Sequence, residues 1–139
     1  MLFNYMSMLV AKNIKLLVVH CSDSDDSKTL TAFDLHKMHL NFGWDGIGYH
    51  KVINRSGKIE NGRPEYWVGA HVKGKNSISL GVCLIGRHKF TIKQFISLER
   101  VLIVFLSKLL CSTISSKSFC SLLVIMQSPF FHQGIHAHT

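Results

Sequence analysis

The stretch KLLVVHCS, Lys15 to Ser22, decides the fold. Leu16, Leu17, Val18 and Val19 form an apolar run that is short and β-branched enough for a buried strand rather than a helix. Asp23, Asp25, Asp26 and Ser27 stop it. The strand delivers His20 to its C-terminal end, where polar loop residues follow. An imidazole in that position can coordinate a metal or act as a base, because one ring nitrogen faces the cleft while a second partner holds the other. A lone histidine hydrogen-bonded at a sheet edge is the simpler alternative, and the residues further along decide between the two.

Outward from this strand the chain alternates helix and strand signals. Thr31 and Asp34 make a capping-box start, and Leu35, Met38, His39 and Phe42 follow at helical spacing up to Gly43. A short amphipathic helix is expected there, with His36 and His39 as surface or interface side chains without a role. Beyond GWDGIG, the segments YHKVI and KIE predict a hairpin turned by Asn54, Arg55, Ser56 and Gly57. Tyr49 opens its first strand, and strand alternation puts His50 on the opposite face. Trp67 to His71 predicts another short strand, Gly74 to Asn76 a loop, and Ile78 to Ile85 a central strand with little polar content. A second capping box, Thr91 and Gln94, starts the longest helix. Its apolar face is expected to carry Phe95, Leu98, Leu102, Phe105, Leu106 and Leu109, with Lys93, Glu99, Arg100 and Lys108 off it. The element order is mixed α/β.

Composition narrows the partners. The 139 residues are the size of one domain, and 16 Lys and Arg against 8 Asp and Glu give a net charge of +8. That charge favours an anionic partner such as nucleic acid, a membrane surface or an acidic wall polymer. No aromatic-basic motif supports nucleic-acid binding, and much of the excess reflects the absence of acids after Glu99, so no nucleic-acid partner is expected. Charges interrupt the long helix too often for a membrane span. The apolar start around Phe3, Tyr5 and Met8 to Val10 has neither a basic segment before it nor a small-residue cleavage site after it, which reads as a cytoplasmic start. Cys21, Cys83, Cys111 and Cys120 form no CxxC pair, so free thiols in a reducing compartment are expected. A monomer is expected.

Taken together, VVHCS, GWDGIGYHKVINRSGKIENGR, VGAHVKGKNSISLGVCLIG and FTIKQFISLERVL resemble, in order and spacing, the zinc-dependent N-acetylmuramoyl-L-alanine amidases. These are the type 2 amidases, related to peptidoglycan recognition proteins, and the likeness is greatest to phage lysozymes of amidase type. It covers roughly Lys15 to Leu110. The resemblance implies a mixed central β-sheet flanked by helices, with a peptidoglycan groove across one face and one Zn2+ at its floor. It divides the chain into an N-terminal extension (1–14), an amidase-like domain (15–110) and a tail (111–139). In such an enzyme three protein ligands hold zinc, and the fourth position keeps a water whose pKa the metal lowers. The first ligand matches His20. Tyr49 matches the tyrosine beside the metal-bound water, placed to stabilise the oxyanion or position the nucleophile. His71 matches a histidine bordering the cleft, where substrate contact and a structural hydrogen bond are equally open. Trp44 and Asn76 are candidates for lining the glycan groove, although Trp44 also suits a core plug under a turn.

The pattern stops after Leu110. Residues 111–139 contain no Asp or Glu and no GHN motif, so the other two ligands implied by the resemblance are missing. Either His132, His136, His138 or Cys120 replaces them, or the tail comes from a shifted reading frame. The genetic code favours the second account. Read from the third base of each codon, Leu123 to Gln127 allows glycine, histidine and asparagine and then forces alanine; the same shift through Ile135 to Thr139 allows threonine, cysteine and proline. The tail shows neither helical nor strand periodicity over a useful length, which predicts poor packing. The implied activity is hydrolysis of the bond between N-acetylmuramic acid and L-alanine, impaired in this chain. The alternative is a non-catalytic peptidoglycan-binding module.

Overall fold

A computed structural model describes residues 13–113 and 123–126, with side chains described as far as Lys108. Five strands and two principal helices follow in the order β1 (Leu16–Cys21), α1 (Ala32–Asn41), β2 (Lys51–Ile53), β3 (Ile59–Asn61), β4 (Ser79–Leu84), α2 (Ile92–Thr113) and β5 (Leu123–Met126). They build one mixed sheet in the order β3-β2-β4-β1-β5. Among the described residues only the β2–β3 hairpin is antiparallel; β2, β4, β1 and β5 run parallel. Parallel strands need covering on both faces, and the helices supply it. Leu17, Val19, Leu80, Val82 and Leu84 pack with Leu98, Val101 and Phe105 of α2. On the other face, Val52, Cys83 and Ile85 pack with Ala32 and Leu35 of α1, together with Ile47 and Tyr49. Each fully buried aliphatic side chain contributes about 1.5–3 kcal/mol, so the two central strands, β1 and β4, are the main source of stability.

Both capping boxes form. Thr31 and Asp34 exchange hydrogen bonds at the start of α1, and Thr91 and Gln94 do so at the start of α2. Gln94 does more than cap. Fully buried, it donates through Nε2 to the carbonyls of Ile85 (2.8 Å) and Ile53 (3.3 Å), tying the helix to the C-terminal ends of β4 and β2.

Several sequence expectations are corrected. Trp67 to His71 is not a strand: Trp67 closes a turn on the Pro64 carbonyl, and Arg63 donates to the carbonyls of Ile47 and Val68. Backbone groups that would have paired in a ladder are satisfied by a side chain instead. Tyr49 precedes β2 rather than opening it. The buried face of α2 runs through Gln94, Ser97, Leu98, Val101 and Phe105, whereas Phe95 is half exposed. Leu98 and Phe105 lie on the expected face, and Leu102 and Leu106 pack partly buried against the same core, so Phe95 is the departure from it among the described side chains. The tail expectation fails in two places. Helix α2 continues to Thr113, and β5 pairs in parallel with β1 from Leu16↔Leu123 to Val19↔Met126. Four apolar residues are too few to show a period, but a strand edge offers them a row of backbone partners, and tertiary pairing outweighs the weak local signal. Cys120, His132, His136 and His138 lie outside the described residues. Ile14, at the edge of the expected N-terminal extension, is part of the core beneath α2. No helix among the described residues is long and apolar enough to cross a membrane.

Candidate active site

His20 is the fifth residue of β1 and pairs in register with Cys83 of β4, which belongs to the sheet face under α1. Tyr49 packs on that same face, and its ring centre is 5.2 Å from that of His20. The two residues singled out for metal and catalytic roles therefore meet on one side of the sheet. His71 joins them: its Nδ1 is 2.9 Å from His20 Nε2, and the two rings meet edge to face. All three are buried.

Two further histidines extend the cluster. His39, on α1, is buried with its ring 5.5 Å from Tyr49 and 4.5 Å from Trp44. Its Nδ1 accepts from the Gly48 N–H at 3.0 Å, and one turn earlier His36 Nδ1 accepts from Ile47 N–H at 3.2 Å. The pair at i and i+3 lies on one helix face and clamps the loop that carries Tyr49. The sequence reading, which gives both as surface or interface side chains without a role, misses this clamp; their spacing ahead of a glycine-rich loop is the available signal. His50 was expected to point away from the cluster. It lies instead in the bend before β2, and its ring centre is 5.7 Å from that of His71. Its Nδ1 accepts from Gly81 N–H and its Nε2 donates to the Trp67 carbonyl, so it is the neutral Nε2–H tautomer.

Electrostatics follow from burial. His71 is pushed down to about 2, first by loss of hydration and then by the neighbouring His20 and His50, so it is neutral at physiological pH. His50 is lowered for the same leading reason. Burial raises the Tyr49 phenol and the Cys83 thiol, which interact with each other, and it raises Cys21 as well. Both described cysteines are free thiols, and burial keeps them protonated at neutral pH.

Trp44 is half-buried, with its backbone N–H closing α1 on the His39 carbonyl and its ring against His39 and Phe42. Asn76 spends its Oδ1 on the N–H groups of His71 and Val72, both at 2.9 Å, and so shapes the loop that presents His71.

Among the described residues, no three His, Cys, Asp or Glu side chains are grouped to hold a metal ion. His20, the residue expected to be the first ligand, has its Nε2 within hydrogen-bond distance of His71. The described residues therefore do not complete a three-ligand zinc centre.

Comparison with known proteins agrees with this architecture. The chain is 38% identical over 100 residues to the endolysin of Escherichia phage T7, an overlap covering 66% of each chain. The N-acetylmuramoyl-L-alanine amidase LysC from Clostridium intestinale superposes with a TM-score of 0.67 at 26% identity, covering 89% of this chain and 85% of that one. Bumblebee PGRP-SA shares the fold with a TM-score of 0.68 at 23% identity, over 87% of this chain and 73% of its own. Residues 10–127 match the family described as N-acetylmuramoyl-L-alanine amidase, and the chain belongs to that family.

Proposed function

We propose that this chain is a peptidoglycan amidase by descent, directed at the amide bond between N-acetylmuramic acid and L-alanine and impaired in hydrolysing it. The observation that carries this reading is the meeting of His20 and Tyr49 on one sheet face, 5.2 Å apart, within the family fold. In the proposed roles, His20 stands on the metal side and Tyr49 beside the scissile carbonyl, with Trp44 and the Asn76 amide toward the glycan. His71 is open to substrate contact or support of His20; its two internal hydrogen bonds favour support. Impairment follows from the ligand count among the described residues: one histidine cannot hold a catalytic zinc with fixed geometry. The frameshift account of residues 111–139 belongs to the same proposal, and the nucleotide sequence across the codons for Ser107 to Leu123 tests it.

Zinc content after dialysis and release of stem peptides from purified cell wall, measured beside a His20→Ala control, test the functional reading. Substoichiometric zinc and hydrolysis far slower than that of the phage T7 endolysin are expected. Stoichiometric zinc with wall hydrolysis that disappears in His20→Ala would refute the impairment and show that residues beyond 113 supply ligands. A second reading, a non-catalytic peptidoglycan-binding module, is favoured by the hydrogen bond that occupies His20 Nε2. Wall binding without zinc or hydrolysis, by a monomer in gel filtration, is its signature.

A further inference from the structure

We propose that Ser79 is a positioning residue which, acting through His71, fixes the tautomer and ring orientation of His20. The assignment follows from a chain of hydrogen bonds in which each step leaves one choice. Ser79, the first residue of β4, is fully buried, and its Oγ lies 2.7 Å from the Lys75 carbonyl. A carbonyl only accepts, so the hydroxyl proton points there. The same Oγ is 3.3 Å from His71 Nε2 and, its proton spent, accepts from that nitrogen. His71 therefore carries its proton on Nε2, and as a neutral ring it has a bare Nδ1. That Nδ1 is 2.9 Å from His20 Nε2, which must be the donor. His20 is thereby held as the Nε2–H tautomer, with the lone pair on Nδ1.

Packing prevents His71 from escaping this arrangement. A Cβ at Gly69 would come within 2.5 Å of His71 Cδ2, and one at Gly81 within 2.6 Å of its Cγ. The imidazole lies against two positions where only glycine leaves room, so the ring is held as well as hydrogen-bonded. Both glycines belong to motifs quoted from the sequence, VGAH and LGVCLIG. Their shared purpose is to seat the ring that orients His20. A histidine that serves a reaction must offer one defined nitrogen, and a partner on the other nitrogen is the usual means.

The proposal rests on the reading of His20 as the residue around which the site is built, but neither a bound metal nor turnover is needed to test it. Two-bond 1H–15N spectra of the labelled full chain at pH 7.5, in EDTA, report which nitrogen of each imidazole is protonated; His→Gln variants assign the rings. His20 and His71 are both expected with protonated Nε2 and bare Nδ1. In Ser79→Ala the His71 proton loses the hydroxyl acceptor and keeps only its contact with the Ser79 backbone, and the ratio of the two His20 tautomers should fall by about tenfold, as expected for one lost buried hydrogen bond. Ser79→Thr, which keeps the hydroxyl, should restore the wild-type pattern. Lower stability in Ser79→Ala with an unchanged His20 tautomer would reduce Ser79 to a structural residue and overturn the proposal. Wild-type His20 protonated on Nδ1 would overturn it without any variant. Failure of the zinc and wall assays with the expected tautomers would remove the proposed function and leave the positioning role standing.

Discussion

Acid should destabilise this protein in the imidazole range, well before its carboxylates titrate. The perturbation is a shift from pH 7.5 to 5.0. His71 has an unfolded-state value of 6.5 and is held to about 2 in the folded protein. Below pH 6.5 the unfolded chain takes up a proton that the native state refuses, so the unfolded state binds more protons and stability falls as pH falls. Above pH 6.5 the ring is neutral in both states and contributes no slope. One such group costs about 1.4 kcal/mol per pH unit inside this window, or about 2 kcal/mol at pH 5.0. His50, also lowered by burial, acts in the same direction. Asp25, Asp26, Asp34 and Glu65 are lowered from their ordinary values near 4, so their losses begin only at lower pH. Against a typical domain stability of about 5–15 kcal/mol, the effect is large enough to measure.

Urea unfolding followed by tryptophan fluorescence in EDTA, at pH 7.5 and 5.0, provides the assay. The wild-type protein should lose at least about 2 kcal/mol between the two conditions. His71→Gln should start less stable, because it disturbs the Ser79 and His20 bonds, yet its loss between the two pH values should be smaller by about 2 kcal/mol. A wild-type stability that is flat over this range, or a His71→Gln variant with the full wild-type decline, would refute the claim that His71 is buried neutral.

Other perturbations probe how the site is held. Gln94→Ala strips donors from the buried carbonyls of Ile53 and Ile85 and should cost about 2–4 kcal/mol in urea unfolding; a loss under about 1 kcal/mol would show that water or a neighbour replaces the amide. Gly48→Ala should not yield folded protein, since its Cβ would lie 2.0 Å from the Ala70 carbonyl oxygen, a backbone atom. Gly74→Ala meets no atom within 4 Å and is strained only by its φ of +75°, so thermal unfolding should show a cost of about 1–2 kcal/mol. Similar stabilities for the two variants would count against the close approach of the Gly48 loop to Ala70.

Why some of this was legible in the sequence and some was not comes down to the range of the signal. The apolar runs of β1 and β4 and the two capping boxes act over a few residues, and each formed where its pattern placed it. His20 and Tyr49 were legible as a pair because the spacing of their motifs, rather than either residue alone, carried the resemblance. The imidazole cluster was not legible, because each of its bonds crosses the chain: His20 to His71, His50 to Gly81, His39 to Gly48. Histidine is especially opaque in this respect, since the same side chain serves as a surface cation, a buried acceptor for a backbone N–H, or a ligand, and only its partners decide which. The glycines held the missing information. Gly69 and Gly81 look like turn and strand interruptions when read locally, yet both are spaces cut for the His71 ring. A glycine inside a strand marks a close approach, and here the approaching group is the side chain that orients His20. Strand β5 shows the same limit from the other side: four apolar residues with no readable period became a strand because the edge of β1 was there to pair with them.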